Sequence, residues 1–277
     1  MEEPILSLLF PLYRSGPFFN NLVRQIEQLS DPCYEIIISD RHCYDNTIDL
    51  LESRFKNDTR FRFIRATDHL NWVSHYNFLL QQARGKYFCW LPHDDTYSSD
   101  YFPVLISKIQ EQDTAIAAFA TMNVIGKKWE IDYSKFKIKY SYPLRSNQYM
   151  KLWNSGLLGI PFRGIFKTHV IIKKKLWINE NVKLKGYQDL FWVFAVILQG
   201  GLIYTEHTSS AKNFAKISAH SHWKISSISK KNIYVLRLLY GYIYKSPLPF
   251  FTKLKMSINI FIPYFIRKGL NKFGLNF

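Results

Sequence analysis

Residues 35–55 read EIIISDRHCYDNTIDLLESRF, and this stretch indicates the fold class. It begins with a short apolar run that Asp40 closes, which is typical of a buried strand. Its last nine residues have apolar side chains at helical spacing, so a helix is predicted over 47–55. A strand that leads through a short turn into a helix is the repeating unit of α/β sheets.

The same alternation extends over the first 125 residues; order returns at 164–167, and a helix and a strand follow from residue 187. It predicts a mainly parallel, Rossmann-like sheet flanked by helices, which binds ligands outside the carboxyl ends of its strands. Gly85 is interpreted as the C-terminal cap of a helix. The predicted strands cover residues 5–10, 35–40, 60–66, 86–91, 115–125 and 202–206. The predicted helices cover a segment with Phe18, Leu22, Ile26 and Leu29 on one face and residues 47–55, 74–83, about 98–112 and 187–199.

The formal net charge of +16 is concentrated at the C-terminal end of the chain. Twelve Lys or Arg residues follow Glu206 and no acidic residue does, whereas residues 1–206 carry 25 basic and 21 acidic residues. Residues 126–161 lose periodicity and receive no structural prediction. The first 206 residues therefore have the balance of an ordinary globular domain.

Several functional classes are excluded by what the sequence lacks. Its three cysteines (Cys33, Cys43 and Cys89) form no CxxC pair, which favours a reducing compartment and argues against a zinc site. The sequence contains no GxGxxG, GxxxxGK[ST], GxSxG or HExxH motif. No secretory signal is recognisable, and no apolar run approaches the length of a membrane span.

Asp40 and Asp45 flank the turn after the second predicted strand. Asp40 lies at the carboxyl end of that strand, where the ring or ribose of a ligand would bind, so a binding role is predicted. For Asp45 a binding role and a simple role as a helix cap are both open.

Asp94 and Asp95 follow the fourth predicted strand. Two adjacent carboxylates repel each other unless a cation or hydrogen-bond donors lie between them. Mg²⁺ or Mn²⁺ prefers oxygen ligands and completes its shell with water and substrate phosphates, so one or two carboxylates can suffice. A metal site is therefore predicted, with a solvated turn as the alternative.

Asp189 lies near the start of the apolar helix predicted over 187–199. A carboxylate there can stabilise the positive end of the helix. Alternatively, its apolar surroundings can raise its pKa, as a proton acceptor requires. Both roles remain open at this point.

Taken in order, these segments resemble the GT-A catalytic domain of family 2 glycosyltransferases, which are inverting enzymes that use nucleotide-diphosphate sugars. The resemblance covers residues 4–217 and begins with the strand and proline turn ILSLLFPLY (residues 5–13). It implies that Asp40 holds the base or ribose of the donor, and that Asp45 and Thr47 order the donor loop. Asn77 falls where the family has an asparagine on the helix before its metal strand.

The acidic residues later in the chain match further family motifs. Asp94 and Asp95 resemble the last two acids of the aspartate-rich signature, which implies that Asp94 coordinates Mg²⁺ or Mn²⁺ on the diphosphate. Asp189 in GYQDLFW matches the second member of an acidic pair, which the family uses as catalytic base. Lys212 and Lys216 are candidate further phosphate contacts.

Three positions depart from the family pattern. Pro92 replaces the first aspartate of the signature, which removes one possible metal contact. Gln188 replaces the usual glutamate beside the base, and Arg41 replaces a frequent second aspartate in the donor loop. The residues that the mechanism most needs are present.

The resemblance implies a glycosyltransferase that acts on a glycan or lipid-linked acceptor in bacterial surface polysaccharide or lipopolysaccharide synthesis. Residues 1–217 would form the catalytic domain, with a donor half (1–125) and an acceptor half (126–217). A nucleotidyltransferase or a catalytically silent relative remains an alternative. A nucleic-acid-binding protein is disfavoured, because no nucleic-acid-reading motif accompanies the basic tail.

The tail over 218–277 combines aromatic, aliphatic and basic residues with no acids. This composition favours a helical, interfacial contact with an anionic membrane leaflet, which would place the protein at the inner face of the membrane. The alternative is a helical cap that packs on the catalytic domain with its cations outward.

Overall fold

The computed structural model describes residues 3–41, 45–66, 70–125, 144–155, 157–181, 187–213 and 233–260. These residues form an eight-stranded sheet in the order β3-β2-β1-β4-β7-β6-β8-β5, flanked by helices. The strands are β1 (Leu6–Leu12), β2 (Tyr34–Asp40), β3 (Phe61–Arg65), β4 (Tyr87–Trp90), β5 (Asp95–Tyr97), β6 (Ala115–Ile125), β7 (Ile165–Lys167) and β8 (Gly201–Asn213).

Eight α-helices have both of their ends within the described residues. A further helical stretch covers residues 250–260. The eight are α1 (Phe19–Glu27), α2 (Thr47–Phe55), α3 (Trp72–Gln82), α4 (Tyr101–Gln110), α5 (Ser146–Ser155), α6 (Thr168–Lys173), α7 (Gln188–Ile197) and α8 (Ile233–Lys245).

The predicted α/β sheet is confirmed, and it contains four parallel and three antiparallel strand pairs. β1, β2, β3 and β4 pair in parallel, as do β6 and β8. Between these two groups lies the short strand β7, which is antiparallel to both β4 and β6. The edge strand β5 also runs antiparallel to its neighbour β8. The antiparallel strand β7 therefore joins the two parallel groups into one sheet.

Both faces of the sheet are buried, which explains its near-continuous apolar strands. Alternate residues of β1 enter different cores: Leu9 lies in one, and Leu8 and Phe10 lie in the other. The first core contains a group of aromatic rings around Trp90, whose centroid lies 4.9 Å from that of Phe162 and 5.0 Å from that of Trp192. This packing brings the segment before β7 and helix α7 close to the end of β4.

The prediction that Gly85 caps a helix is wrong. Helix α3 ends at Gln82, and its cap residue Ala83 is extended. Gly85 instead packs directly against β1: a Cβ atom there would lie 2.7 Å from Ser7 N and 2.8 Å from Leu6 C. The position requires glycine because two segments of backbone approach each other.

Replacing Gly85 with alanine should therefore destabilise the chain. The added methyl group meets backbone atoms that cannot turn away, so we expect Gly85→Ala to lower the free energy of unfolding by about 1–3 kcal/mol. Gly241→Ala is the matched control, because in α8 no described atom lies within 4 Å of its Cβ position. That control should stabilise by about 0.5–1 kcal/mol. Urea denaturation of both variants tests this, and equal effects would contradict it.

Candidate functional site

Asp40 lies at the carboxyl ends of the parallel strands, as predicted. It is the last residue of β2 and pairs with Leu12 of β1 and Arg65 of β3. Its side chain is buried. Next to it, the Arg41 guanidinium stacks over the ring of Tyr13 at 3.6 Å and donates to Leu70 O at 3.1 Å. A carboxylate and a flat cation–aromatic pair thus lie side by side at this edge.

Asp45 links two loops at the same edge. One oxygen of its carboxylate accepts from Thr47 N, the first amide of α2, and the other accepts from Gly16 N, both at 3.2 Å. The first contact is the helix-start role left open by the sequence. The Thr47 hydroxyl is buried and has no hydrogen-bond partner within the described residues. Asp45 therefore orders the start of α2 against the loop that follows β1.

Asp95 is fully buried and paired with two cations. Its Oδ2 accepts from Arg163 Nε at 2.6 Å, and its Oδ1 accepts from Lys212 Nζ at 3.3 Å. The backbone register explains one of these contacts, because Asp95 of β5 lies opposite Lys212 of β8. Each oxygen keeps a second lone pair, so these bonds leave the predicted metal role of Asp95 open.

Asp94 lies beside this pair, with its Oδ2 3.6 Å from Lys212 Nζ. Burial raises the pKa of Asp94, but the positive charges of Lys212 and other basic neighbours outweigh it, so the pKa lies below the usual value. Asp94 is therefore a carboxylate that remains charged at neutral pH. A carboxylate held in this form is suited to binding a cation.

Arg163 is a site residue that the sequence analysis missed. Its side chain is largely buried, and besides Asp95 it bonds Gly159 O at 3.2 Å. Burial alone would lower the pKa of Arg163, but the negative charge of Asp95 and its other neighbours outweigh burial, so the pKa lies above the usual value of arginine. No local motif marks this residue, which ends the short 3-10 helix Pro161–Arg163 before β7. Only the three-dimensional pairing with Asp95 identifies it.

His93 holds the acidic turn in place. Its Nδ1 lies 2.9 Å from Ser15 Oγ, and its ring stacks on Phe18 with the centroids 4.3 Å apart. Asn21 Nδ2 donates to His93 O at 3.0 Å. Burial lowers the pKa of His93, which favours the neutral imidazole. The turn with Asp94 is thereby fixed to the loop after β1.

Asp189 lies in the first turn of α7, as predicted. Its Oδ1 accepts from Leu190 N at 2.8 Å. Burial raises its pKa, although that bond and the charges of Arg163 and Lys212 oppose the rise. The carboxylate thus has the higher proton affinity expected of a base and shares an electrostatic environment with the acidic turn.

Gln188, which stands beside Asp189, is 5% exposed, and its Oε1 has no hydrogen-bond partner within the described residues.

Asn77 makes contacts of another kind. Its Nδ2 donates to Ile178 O at 2.9 Å, and its Oδ1 accepts from Ile178 N at 2.8 Å. The side chain therefore anchors the segment between α6 and α7 to α3. A contact between Asn77 and the donor remains a prediction, and Lys216 lies outside the described residues.

Within the described ranges, no three His, Cys, Asp or Glu residues lie close enough together to form a metal centre. The predicted metal ligands are Asp94 and Asp95, and water and substrate phosphates would complete the shell of a metal ion held there. Mg²⁺ and Mn²⁺ accept such an arrangement. The residues present fit a metal that binds together with its substrate.

Comparisons with known proteins identify the family and the fold of this chain. The model of Glycosyl transferase family 2 matches residues 7–171, more than half of the chain. TuaG of Bacillus subtilis (strain 168), named as a teichuronic acid biosynthesis glycosyltransferase, is 25% identical over 115 residues. The alignment covers 42% of this chain and 46% of TuaG. This chain thus spans about half the length of that relative.

Two solved structures share the fold. S. aureus TarS 1–349, in complex with UDP-GlcNAc, has a TM-score of 0.72 at 16% identity, covering 96% of this chain and 74% of TarS 1–349. The mannosyltransferase PcManGT from Pyrobaculum calidifontis, in complex with GDP-Man and Mn²⁺, has a TM-score of 0.58 at 14% identity. The match covers 94% of this chain and 70% of PcManGT. The expected GT-A fold is confirmed.

Breaking the buried ion pair between Asp95 and Arg163 should lower the stability of the fold much more than breaking an exposed pair. Arg163→Met leaves a buried carboxylate short of one partner, so we expect it to lower the free energy of unfolding by about 3–5 kcal/mol. Adding Asp95→Asn should recover part of this loss. Arg54→Met is the control, since Arg54 and its partner Glu27 are both about half exposed and the pair contributes about 0–1 kcal/mol. Urea denaturation showing similar losses for Arg163→Met and Arg54→Met would contradict the assignment.

Proposed function

Because the chain belongs to glycosyl transferase family 2, we propose that it transfers a sugar from a nucleotide-diphosphate donor to a hydroxyl of a glycan or lipid-linked acceptor, with inversion at the anomeric carbon. The observation that supports this most is one cluster of charges at the carboxyl ends of the strands. In it, a carboxylate of lowered pKa (Asp94) and one of raised pKa (Asp189) share the cations Arg163 and Lys212. Opposite shifts of this kind separate a charged carboxylate from a proton acceptor.

The donor nucleotide would bind beside Asp40. Its base or ribose hydroxyls can donate hydrogen bonds to the carboxylate, and the stacked Tyr13 and Arg41 offer a flat surface next to it. Asp45 and Thr47 would act by ordering the loop around this pocket. TarS was solved with UDP-GlcNAc and PcManGT with GDP-Man, which supports a nucleotide sugar as the class of donor.

The diphosphate would lie over the acidic turn. Asp94 would hold Mg²⁺ or Mn²⁺ there, and a cation so bound neutralises the charge that gathers on the departing diphosphate. PcManGT, a neighbour solved with Mn²⁺, supports this role for a metal. Asp95 would serve as the internal counter-ion that keeps Lys212 and Arg163 beneath the phosphates.

Asp189 would accept the proton of the acceptor hydroxyl as the oxygen attacks the anomeric carbon. Attack on the face opposite the nucleotide inverts the configuration, and the transition state resembles an oxocarbenium ion. The raised pKa of Asp189 improves its ability to take this proton near neutral pH.

The cellular role proposed is assembly of a bacterial surface polysaccharide at the inner face of the membrane. TuaG, named for teichuronic acid biosynthesis, supports this class of product. A lipid-linked acceptor would place the enzyme at a membrane, in agreement with the basic and aromatic tail. The departures at Pro92 and Gln188 motivate one alternative, a relative that binds nucleotide sugars without transferring them.

Asp189→Asn separates these possibilities. We expect transfer to fall by about 10²–10⁴-fold, because the proton acceptor is lost, while donor binding remains. Radiolabelled or coupled transfer assays and calorimetric donor binding measure the two quantities. Unchanged turnover would refute the base assignment. Donor binding by wild type without transfer to any acceptor would favour the silent relative.

The same variant should change stability in a pH-dependent way. The folded pKa of Asp189 exceeds its unfolded value, so wild type loses stability as pH rises through these two values. The Asp189→Asn variant cannot ionise, so its melting temperature should exceed that of wild type at neutral pH and approach it at acidic pH, below both values. A variant less stable than wild type at neutral pH would contradict the raised pKa.

Thermal-shift measurements with UDP-, GDP- and dTDP-sugars, with and without Mn²⁺, test the donor and metal assignments. One nucleotide sugar should raise the melting temperature in a metal-dependent way, by roughly 5–10 °C at about a hundred times its Kd. Asp94→Asn should abolish the metal dependence, whereas Asp49→Asn, at an exposed carboxylate on α2, should keep it. Absence of a shift with every nucleotide would refute the donor site.

A further inference from the structure

The inner face of the C-terminal helices belongs to the hydrophobic core. In α8, Val235, Leu239 and Ile243 are at most 2% exposed, and in the helix over 250–260 Met256 is fully buried. All four lie in the same core as the aromatic group around Trp90. The helical cap considered from the sequence is therefore present within residues 233–260.

The outer face of these helices also carries many large apolar side chains. Nine large hydrophobic side chains are exposed in the described residues, and six of them lie in this stretch of 28 residues. We call these six the C-terminal patch: Tyr240, Tyr244, Phe250, Phe251, Leu254 and Ile258. Phe250 and Phe251 are its most exposed members, at 71% and 73%. Large apolar side chains exposed close together normally mark a binding surface, so the outer face indicates one.

Every charged side chain in the stretch that carries the C-terminal patch, residues 233–260, is basic. Lys245 and Lys255 are exposed beside it, and Lys253 bonds Tyr244 O at 3.0 Å. No acidic residue follows Glu206 in the sequence. A partner for this surface must therefore combine apolar groups with negative charge.

We propose that the C-terminal patch is an interfacial membrane anchor, in which Phe250, Phe251 and their apolar neighbours enter an anionic lipid surface while Lys245 and Lys255 contact its headgroups. Aromatic rings and lysines around an apolar centre suit the boundary between headgroups and acyl chains. Within the described residues, no helix is both long and apolar enough to span a bilayer, so the contact described is with one leaflet. The anchor extends the proposed transfer reaction, because a lipid-linked acceptor lies at such a surface.

Charge disfavours the two occupants that this chain itself could supply. A second copy would bring an equally basic patch against the first, and like charges at an interface repel. Residues 261–277 add Arg267, Lys268 and Lys272 and no acid. Anionic lipid supplies both the apolar surface and the missing negative charge.

Vesicle flotation of the full chain tests the anchor, with phosphatidylcholine vesicles that contain or lack phosphatidylglycerol, at low and high salt. Wild type should bind the anionic vesicles, and binding should weaken with salt. The double variant Phe250→Ser/Phe251→Ser should bind about tenfold less or weaker still. Lys245→Gln/Lys255→Gln should lose about fivefold for each lysine. The control Leu50→Ser/Ile172→Ser removes exposed apolar side chains elsewhere and should bind as wild type does.

Other outcomes would overturn the proposal. One is equal binding of wild type to neutral and anionic vesicles, and another is full vesicle binding by the phenylalanine double variant. A third is that light scattering shows wild type to be a dimer in solution and the phenylalanine double variant to be a monomer. All substituted side chains are exposed or half-buried, so melting temperatures close to wild type should verify folding. Nucleotide-sugar binding by the same variants keeps the two proposals distinguishable. If wild type binds the donor but not the vesicles, the result counts against the anchor alone. If wild type binds the vesicles but not the donor, the result counts against the proposed function alone.

Discussion

The burial of one carboxylate determines much of the site. Asp95 has no exposure to solvent, and a charge in that position is stable only with close partners. Those partners, Arg163 and Lys212, come from segments 68 and 117 residues away in sequence. Satisfying Asp95 therefore joins the acidic turn after β4 to the segment before β7 and to β8. The position of Asp94 next to Lys212 depends on this junction.

The cations of this junction affect the pKa values of the other two carboxylates, Asp94 and Asp189, to different extents. Asp94 lies within reach of Lys212, and the cations overcome the effect of burial and lower its pKa. For Asp189 burial outweighs the more remote cations, and its pKa rises. Three carboxylates and two cations leave the cluster with one excess negative charge when all are ionised. A bound divalent cation would reverse that sign and so favour the diphosphate of a donor.

The sequence predicted the parts of the fold that follow from local patterns. Helix α2 and strand β6 have the predicted bounds, because their apolar spacing and flanking turns are contiguous in the chain. The short strands β5 and β7 were not predicted, because three residues carry no periodicity and only pairing with distant strands defines them. Arg163 was missed for the same reason, whereas Asp40 and Asp94 were placed correctly at strand ends. For Asn77, its position in a motif did not reveal its observed contacts, because its hydrogen-bond partner Ile178 lies about a hundred residues away in the sequence.

The two interpretations of the tail composition are compatible, because a helix has two faces. The inner face of α8 packs in the core next to α7, whose first turn carries Asp189. The outer face carries the C-terminal patch. If that patch rests on lipid, the packing of α8 against α7 fixes the orientation of the proposed catalytic carboxylate relative to the membrane. Membrane contact would then do more than raise the local concentration of a lipid-linked acceptor, since it would also determine the direction from which the acceptor hydroxyl approaches.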